Sequence, residues 1–354
     1  MNILLMTNQL NYTDGVSTHL YYLLKHLKKE RDMNVFLMCS KGDSADKFKK
    51  ENIEIIFNNK LDHDIRNIKN YSSAVYSVYR FCRQNSINII HSHNHYSSNI
   101  AGHSSVFLDV KTIQTNHGII PPEGRLKHFK ADYFIAVNER IRKYIIKNHI
   151  APEDRVRLIN NGIDFSESKI SKKTFPLRII AASRFDKSKG LDTYIKAVSL
   201  LPETLRKNLE IIIAGEGVLE NELKDYNKKL KTGIKFIGNQ KDLRKILDHT
   251  SIFVIPSNSD TEGMPMSMIE AAASENLVIS SDFSGVAGIL NDGKEGLIFR
   301  RNNPEELASK IVFALNNKEL SDKMAAEFYA KAKKKFNSVL MCSEHVSYYR
   351  KILN

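Results

Sequence analysis

The tightest constraint on this chain is the run Ile252-Phe253-Val254-Ile255-Pro256, followed at once by a polar loop and then by helix formers. An unbroken apolar run of strand length is buried on both faces. That is the condition of a parallel strand covered by helices on either side. Pro256 ends the strand, Ser257 to Gly263 form the loop, and Pro265 falls where a first helical residue belongs. Met266 to Ala273 continue as helix. Strand, loop and helix start in this order make an anion site, because amides around Gly263, Met264 and Met266, grouped about Pro265, point into the crevice beyond the strand. Glu262 stands in the loop, and Glu270 lies about two turns into the helix. Carboxylates repel a bare phosphate but accept hydrogen bonds from a sugar diol. The pair therefore suits a ligand carrying both a diphosphate and sugars, against the plainer reading of two solvated glutamates on a surface helix.

The same unit recurs along the chain. Asn2 to Thr7 reads as a strand, Asn8 to Val16 as a loop holding Asp14-Gly15, and Ser17 as the cap of a helix with a stripe of Leu20, Leu23, Leu24 and Leu27. Gly15 is placed to bring backbone close to a phosphate. Further strands are expected at 35–39, 53–57, 87–90, 111–116, 131–137 and 156–159, with a long helix ending near Gln84. Phe165 to Phe175 is polar, rich in lysine and without periodicity, as a linker is. A second series opens with Leu177 to Ala182 and continues through strands at Ile211 to Ala214 and Lys235 to Asn239, where the backbone of Gly238 and Asn239 is positioned to read a nucleobase. At 354 residues the chain is long for one core. The expected layout is α/β throughout, in two doubly wound domains: 1–168, rejoined by 339–354, and 169–338.

Composition narrows the class. No apolar run approaches the roughly 18 residues of a membrane span, and Met1 to Met6 reads as a first strand rather than a signal peptide. Cys39, Cys82 and Cys342 are odd in number and widely spaced, which points to a reducing cytoplasm and away from a structural zinc. The net charge of +13 is spread over both halves, not gathered in one stripe, and no nucleic-acid-binding signature accompanies it. Nucleic acid is therefore not an expected partner. A diffuse basic surface fits an anionic donor, or peripheral contact with anionic lipid at the inner face of the membrane.

Two motifs invite a metal and are set aside. In His91-Ser92-His93-Asn94-His95, alternate imidazoles share one face of an extended chain, but no carboxylate or cysteine completes a ligand set. Asp62-His63-Asp64 lacks the apolar strand that would deliver it to a site, and reads as a solvated loop and helix start. His117 precedes Gly118 at the carboxyl end of a strand, where open α/β sheets bind ligands.

These residues carry a family resemblance. Glu262-Gly263-Met264-Pro265-Met266 with Glu270-Ala271 is similar to the E-x7-E signature of retaining glycosyltransferases of family 4, which have the GT-B fold. The likeness extends to Thr115-Asn116-His117-Gly118, to Ala131 to Val137, to Asn161-Gly162-Ile163-Asp164, and to Arg184 and Lys189 in the place of a G-R-h-x-x-x-K-G motif. Departures occur where Asp14 and Ser183 replace usual glycines, and in Asp282 to Gly288, where Ser284 and Gly288 stand at places the family fills with glycine and glutamate. The resemblance implies two Rossmann-like domains facing a cleft, with the last helix, 339–353, crossing back to the first. It implies transfer of a sugar from a UDP- or GDP-sugar to a glycan, lipid-linked or small-molecule acceptor, with retention of configuration. By the same resemblance, Arg184, Lys189 and the helix amides hold the diphosphate without a metal or other cofactor. Glu262 and His117 meet the donor sugar, Glu270 the ribose, and His93 faces the cleft on the acceptor side. A nucleotide-sugar epimerase or a non-catalytic partner subunit shares the fold. A nicotinamide dehydrogenase would need G-x-G-x-x-G after its first strand, which is absent.

Overall fold

The computed structural model describes residues 1–119, 131–167, 177–283 and 285–354. Most of the expected linker, the Pro121–Gly124 loop, the basic stretch Arg125–Lys130 and Ser284 lie outside the described residues. Two compact units emerge, Met1–Gly162 with Ser338–Asn354, and Ile163–Asn337.

The first unit holds strands β1 (Asn2–Met6), β2 (Asn34–Cys39), β3 (Ile55–Phe57), β4 (Ile89–Ser92), β5 (Lys111–Asn116), β6 (Tyr133–Ala136) and β7 (Val156–Leu158). Its helices are α1 (Gly15–Leu27), α2 (Ala45–Lys50), α3 (Ile68–Gln84), α4 (His95–Ser104) and α5 (Glu139–Lys147). The strands form one parallel sheet in the order β3-β2-β1-β4-β5-β6-β7. Leu20, Leu23, Leu24 and Leu27 of α1 are buried as their spacing predicts. The cap of α1 differs from expectation. Asp14, not Ser17, is the N-cap: its carboxylate accepts from the amides of Val16 and Ser17, and the Ser17 hydroxyl donates back to it. A carboxylate three residues nearer the start captures the first free amides before a hydroxyl further in can do so.

Two other expectations need correction. β4 runs two residues beyond Ile90, which carries His91 into the sheet interior, while His95 opens α4 and so breaks the alternation of the histidine run. Asp62 is not solvated. It caps a short 3-10 turn over His63–Ile65, pairs with Lys41 at 2.6 Å and is buried, while His63 and Asp64 stay exposed.

The second unit holds β8 (Leu177–Ala182), β9 (Leu209–Ala214), β10 (Lys235–Phe236), β11 (Ile252–Ile255), β12 (Leu277–Ser281) and β13 (Leu297–Phe299). Between and after them come α6 (Leu191–Ser199), α7 (Glu203–Arg206), α8 (Glu220–Leu230), α9 (Leu243–Leu247), α10 (Met266–Ala273), α11 (Pro304–Asn316) and α12 (Lys318–Lys335). Its sheet is again parallel, ordered β10-β9-β8-β11-β12-β13. β11 is fully buried, as an unbroken apolar run requires. The last helix, α13 (Ser338–Leu353), packs on α1 in the first unit.

Gly190 marks where two loops of the second sheet nearly touch. Its φ is +61°, and a Cβ there would lie 2.0 Å from the carbonyl oxygen of Pro256. Gly233 also has positive φ, +75°, but open space at the Cβ position. The variant G233A is expected to cost only the left-handed penalty, about 1–2 kcal/mol. G190A adds a collision with backbone and should destabilise the full chain measurably more in urea unfolding. Equal losses would mean that crowding does not fix Gly190.

Candidate functional site

In a parallel sheet the loops that follow the strands all leave at one edge, and ligands settle where the strand order reverses direction. In the second sheet that point lies between β8 and β11. The loop after β8 carries Arg184 and a 3-10 turn, Lys187–Lys189, capped by Asp186 through the Ser188 amide. The loop after β11 carries Ser257 to Pro265. The two are joined across the switch point: Lys189 Nζ lies 2.8 Å from Glu262 Oε1, and Ser257 Oγ donates to Glu262 Oε2 at 2.7 Å. The backbone amide of Asn258 donates to the Ser188 carbonyl at 2.9 Å, and the Ser257 hydroxyl oxygen lies 3.1 Å from the same carbonyl. Ser281, at the end of β12, donates its hydroxyl to the Ser257 carbonyl. Glu262 is thus fixed at both carboxylate oxygens, and Lys189 is aimed by a carboxylate.

Pro265 is the N-cap of α10 rather than its first residue, and no side chain caps the helix. The helix therefore turns a positive end toward the same loop. Met264 and Met266 are buried beneath it, and Gly263 presses on Gly285, where a Cβ would come 2.1 Å from the Gly263 carbonyl oxygen. Arg184 is exposed, 3.6 Å from Asp186, and Lys187 is exposed as well. Glu270 is part-buried on α10. At the next strands, the Gly238 carbonyl accepts from the Gly215 amide at 2.8 Å. Asn239 donates to Glu216 at 3.2 Å, and its side-chain oxygen is buried with no partner among the described residues, the acceptor an exocyclic amine would need.

The first sheet reverses between β1 and β4, and histidines gather there. The His93 amide bonds the Met6 carbonyl at 2.9 Å, and the His93 ring reaches His117 with Nδ1 and Nε2 3.2 Å apart. His19 from α1 packs edge-on to His117, with ring centres 4.8 Å apart, and His345 from α13 closes the group. His91 is spent structurally: Nδ1 meets Tyr349 and Nε2 meets Thr115, both at 2.7 Å. Burial holds the imidazoles of His19, His91 and His93 well below their usual range, with the neighbouring rings adding to it. Burial pushes His117 down to about 3 and His345 down to about 4, the latter partly offset by its bond to the Met341 carbonyl. The cluster is neutral at physiological pH, fit to exchange hydrogen bonds with hydroxyls or to ligate.

Gly15 is exposed, and the amides just after it are occupied by Asp14. The sequence reading missed Ser257, His19, His345, Asn161 and Tyr349. His19 was visible in principle, since it shares the helical spacing of Leu23 and Leu27. His345 and Tyr349 join only through the return of α13.

Two family models lie end to end on this chain: Glycosyltransferase Family 4 over residues 13–167 and Glycosyl transferases group 1 over residues 162–335. An uncharacterized glycosyltransferase of Methanocaldococcus jannaschii is 26% identical over 242 residues, spanning 65% of this chain and 61% of that relative's length. The Escherichia coli UDP-Gal:alpha-D-GlcNAc-diphosphoundecaprenol alpha-1,3-galactosyltransferase is 21% identical over 83% of each chain. Among solved structures, Anabaena HepE in complex with UDP-glucose has a similar fold, with a TM-score of 0.86 at 16% identity, covering 99% of this chain and all of the other.

The imidazole cluster sets a pH dependence. The unfolded chain takes up protons at ordinary histidine values near 6.5, whereas folded His117 and His345 resist protonation down to about 3 and 4. Below pH 6.5 the unfolded state binds more protons, so stability falls as pH drops through that window, with no contribution above it. The variant H345Q should show a shallower loss of stability between pH 6 and 4.5, by up to one proton. An unchanged slope in thermal melts across that range would remove His345 from the account.

Proposed function

Because the chain belongs to the group 1, family 4 glycosyltransferases, we propose that it transfers a sugar from a nucleotide diphosphate sugar to a glycan or lipid-linked acceptor, with retention and without a metal. The observation that carries this reading is the Lys189–Glu262–Ser257 network beside the uncapped start of α10. A cation on the loop after β8 and a helix N-terminus on the loop after β11, side by side, are the two ordinary means of holding a diphosphate. As the glycosidic bond breaks, negative charge grows on that diphosphate. Fixed charges aimed at it stabilise the departing group more than the ground state. Arg184, exposed in the free protein, is the second cation, free to swing onto the phosphates.

Glu262 is held at both oxygens by a cation and a hydroxyl, an arrangement suited to orienting a sugar hydroxyl rather than attacking the anomeric carbon. In this reading the acceptor enters on the same face as the leaving group. Glu270 takes the ribose diol, and Asn239 meets the base through its unpartnered oxygen. His117 donates to the donor sugar and His93 serves the acceptor side, both as neutral rings. Gly15 contributes least, because Asp14 already holds the neighbouring amides. The E. coli relative, whose name gives a UDP-galactose donor and a diphosphoundecaprenol-linked acceptor, supports a UDP-sugar and a lipid-linked glycan, and with it a role in cell-surface polysaccharide synthesis.

Donor identity comes from a panel of UDP- and GDP-sugars, scored by thermal stabilisation and slow hydrolysis. With the donor in hand, K189A and R184A should each lower turnover about 10–150-fold, the equivalent of one charge-assisted bond of roughly 1.5–3 kcal/mol. K187A should stay near wild type. The same assay with excess EDTA should leave the rate unchanged, and NMR of the product should give an α-linkage from an α-linked donor. Unchanged turnover in K189A would end the diphosphate assignment, and a β-linked product would end the retaining one.

We also propose peripheral contact with an anionic membrane, supported by the net charge of +13 and by exposed Ile65, Ile68, Val106 and Phe107 on the first unit. Among the described residues no helix is long and apolar enough to cross a membrane. Flotation with anionic vesicles should carry the protein at low salt and release it at high salt. Failure to float at low salt would refute it.

A further inference from the structure

His19, His93 and His117 come from three separate elements, α1, the end of β4 and the end of β5, and no sequence spacing links them. One nitrogen from each lies within 4.8 Å of the others. His93 Nδ1 and His117 Nε2 are 3.2 Å apart. Two nitrogens bound to one tetrahedral zinc, with bonds of about 2.0–2.1 Å, stand about 3.3–3.4 Å apart, so this pair already has the spacing of one edge. The third ring has at most about 1.5 Å to close.

A second observation points the same way. His19 Nδ1 meets Asn161 Oδ1 at 2.9 Å. With the amide oxygen as acceptor, the proton resides on Nδ1 and Nε2 carries the lone pair. That Nε2 is buried and has no hydrogen-bond partner among the described residues, in a ring with no exposed surface. An outer-shell acceptor that sets the tautomer of a histidine, leaving its other nitrogen bare, is the arrangement metal-ligating histidines use. His117, the part-exposed member, leaves an entry path.

We propose that His19, His93 and His117 form a binding site for a divalent transition ion of the Zn²⁺ class. Three imidazoles favour zinc or cobalt over magnesium or calcium, which seek oxygen. On binding, one of His93 and His117 shifts its proton to the ring's other nitrogen, and no net proton is lost. Three protein ligands leave a fourth position for water. Because the ion occupies the nitrogens that the transfer reading gives to the sugars, it competes with substrate at the first-unit site and takes no part in transfer, which stays metal-independent. His91 takes no part, because both its nitrogens are bonded.

The site is tested on the full chain with Co²⁺, read by its own visible absorption, so the result does not depend on the transfer reaction. Wild type should bind one equivalent with the intense bands of tetrahedral cobalt, displaced by Zn²⁺. H117A should lose the bands, N161A should weaken binding about 10–100-fold, and H63A, between buried Asp62 and exposed Asp64, should match wild type. A second measurement needs no variant: Zn²⁺ should protect His117 from diethyl pyrocarbonate, mapped by peptide mass. Absence of one-equivalent tetrahedral bands in wild type, bands that survive in folded H117A, or modification of His117 unchanged by Zn²⁺ would each overturn the site.

Discussion

Parallel pairing governs this protein. Each strand of the two sheets runs parallel to its neighbours and must be reached by a crossover, so the connecting helices bury the central strands, such as β4, β11 and β12, and the loops leave at one edge. Side chains at strand ends are therefore gathered whatever their distance in sequence. His93 and His117 meet after β4 and β5, and Lys189 and Glu262 meet after β8 and β11. In both sheets the gathering falls where the strand order reverses.

The two gatherings differ in their electrostatics. In the second unit the groups are charged and part-exposed: a lysine, a glutamate and a helix start, with Arg184 in solvent nearby. On the proposed function, a diphosphate entering there meets a cation and a helix start that are already oriented. In the first unit burial has removed charge altogether, leaving neutral imidazoles hydrogen-bonded to Asn161, Tyr349, Thr115 and one another. Such rings offer a donor and a lone pair each, which suits hydroxyls or a metal and repels neither.

α13 decides part of that second environment. Its Tyr349 takes one nitrogen of His91, and its His345 ring packs against His19 and His91. The tail of the chain thus helps exclude water from residues placed by the first half. The cost is a fold that unfolds more readily in acid, because every buried imidazole must stay neutral.

Much of this was legible in the residues alone. The unbroken run Ile252–Ile255 implies a doubly covered parallel strand, and the leucine spacing of α1 implies its buried stripe, because period and polarity act over a few residues. The E-x7-E spacing, with Arg184 and Lys189, points to the second-unit site through the family resemblance; that Lys189 meets Glu262 depends on β8 lying beside β11. Other features needed the folded chain. Asp14 displaced Ser17 as a cap, Asp62 found Lys41, and Ser257 became the clamp on Glu262, since each depends on which partner arrives first or nearest. Above all, the pattern His91, His93, His95 suggests one histidine set, whereas the sheet and α13 assembled another, His19, His93 and His117. Sequence fixes which residues share a strand or a helix face; only tertiary packing decides which strands and helices meet, because those contacts join positions that no local period relates.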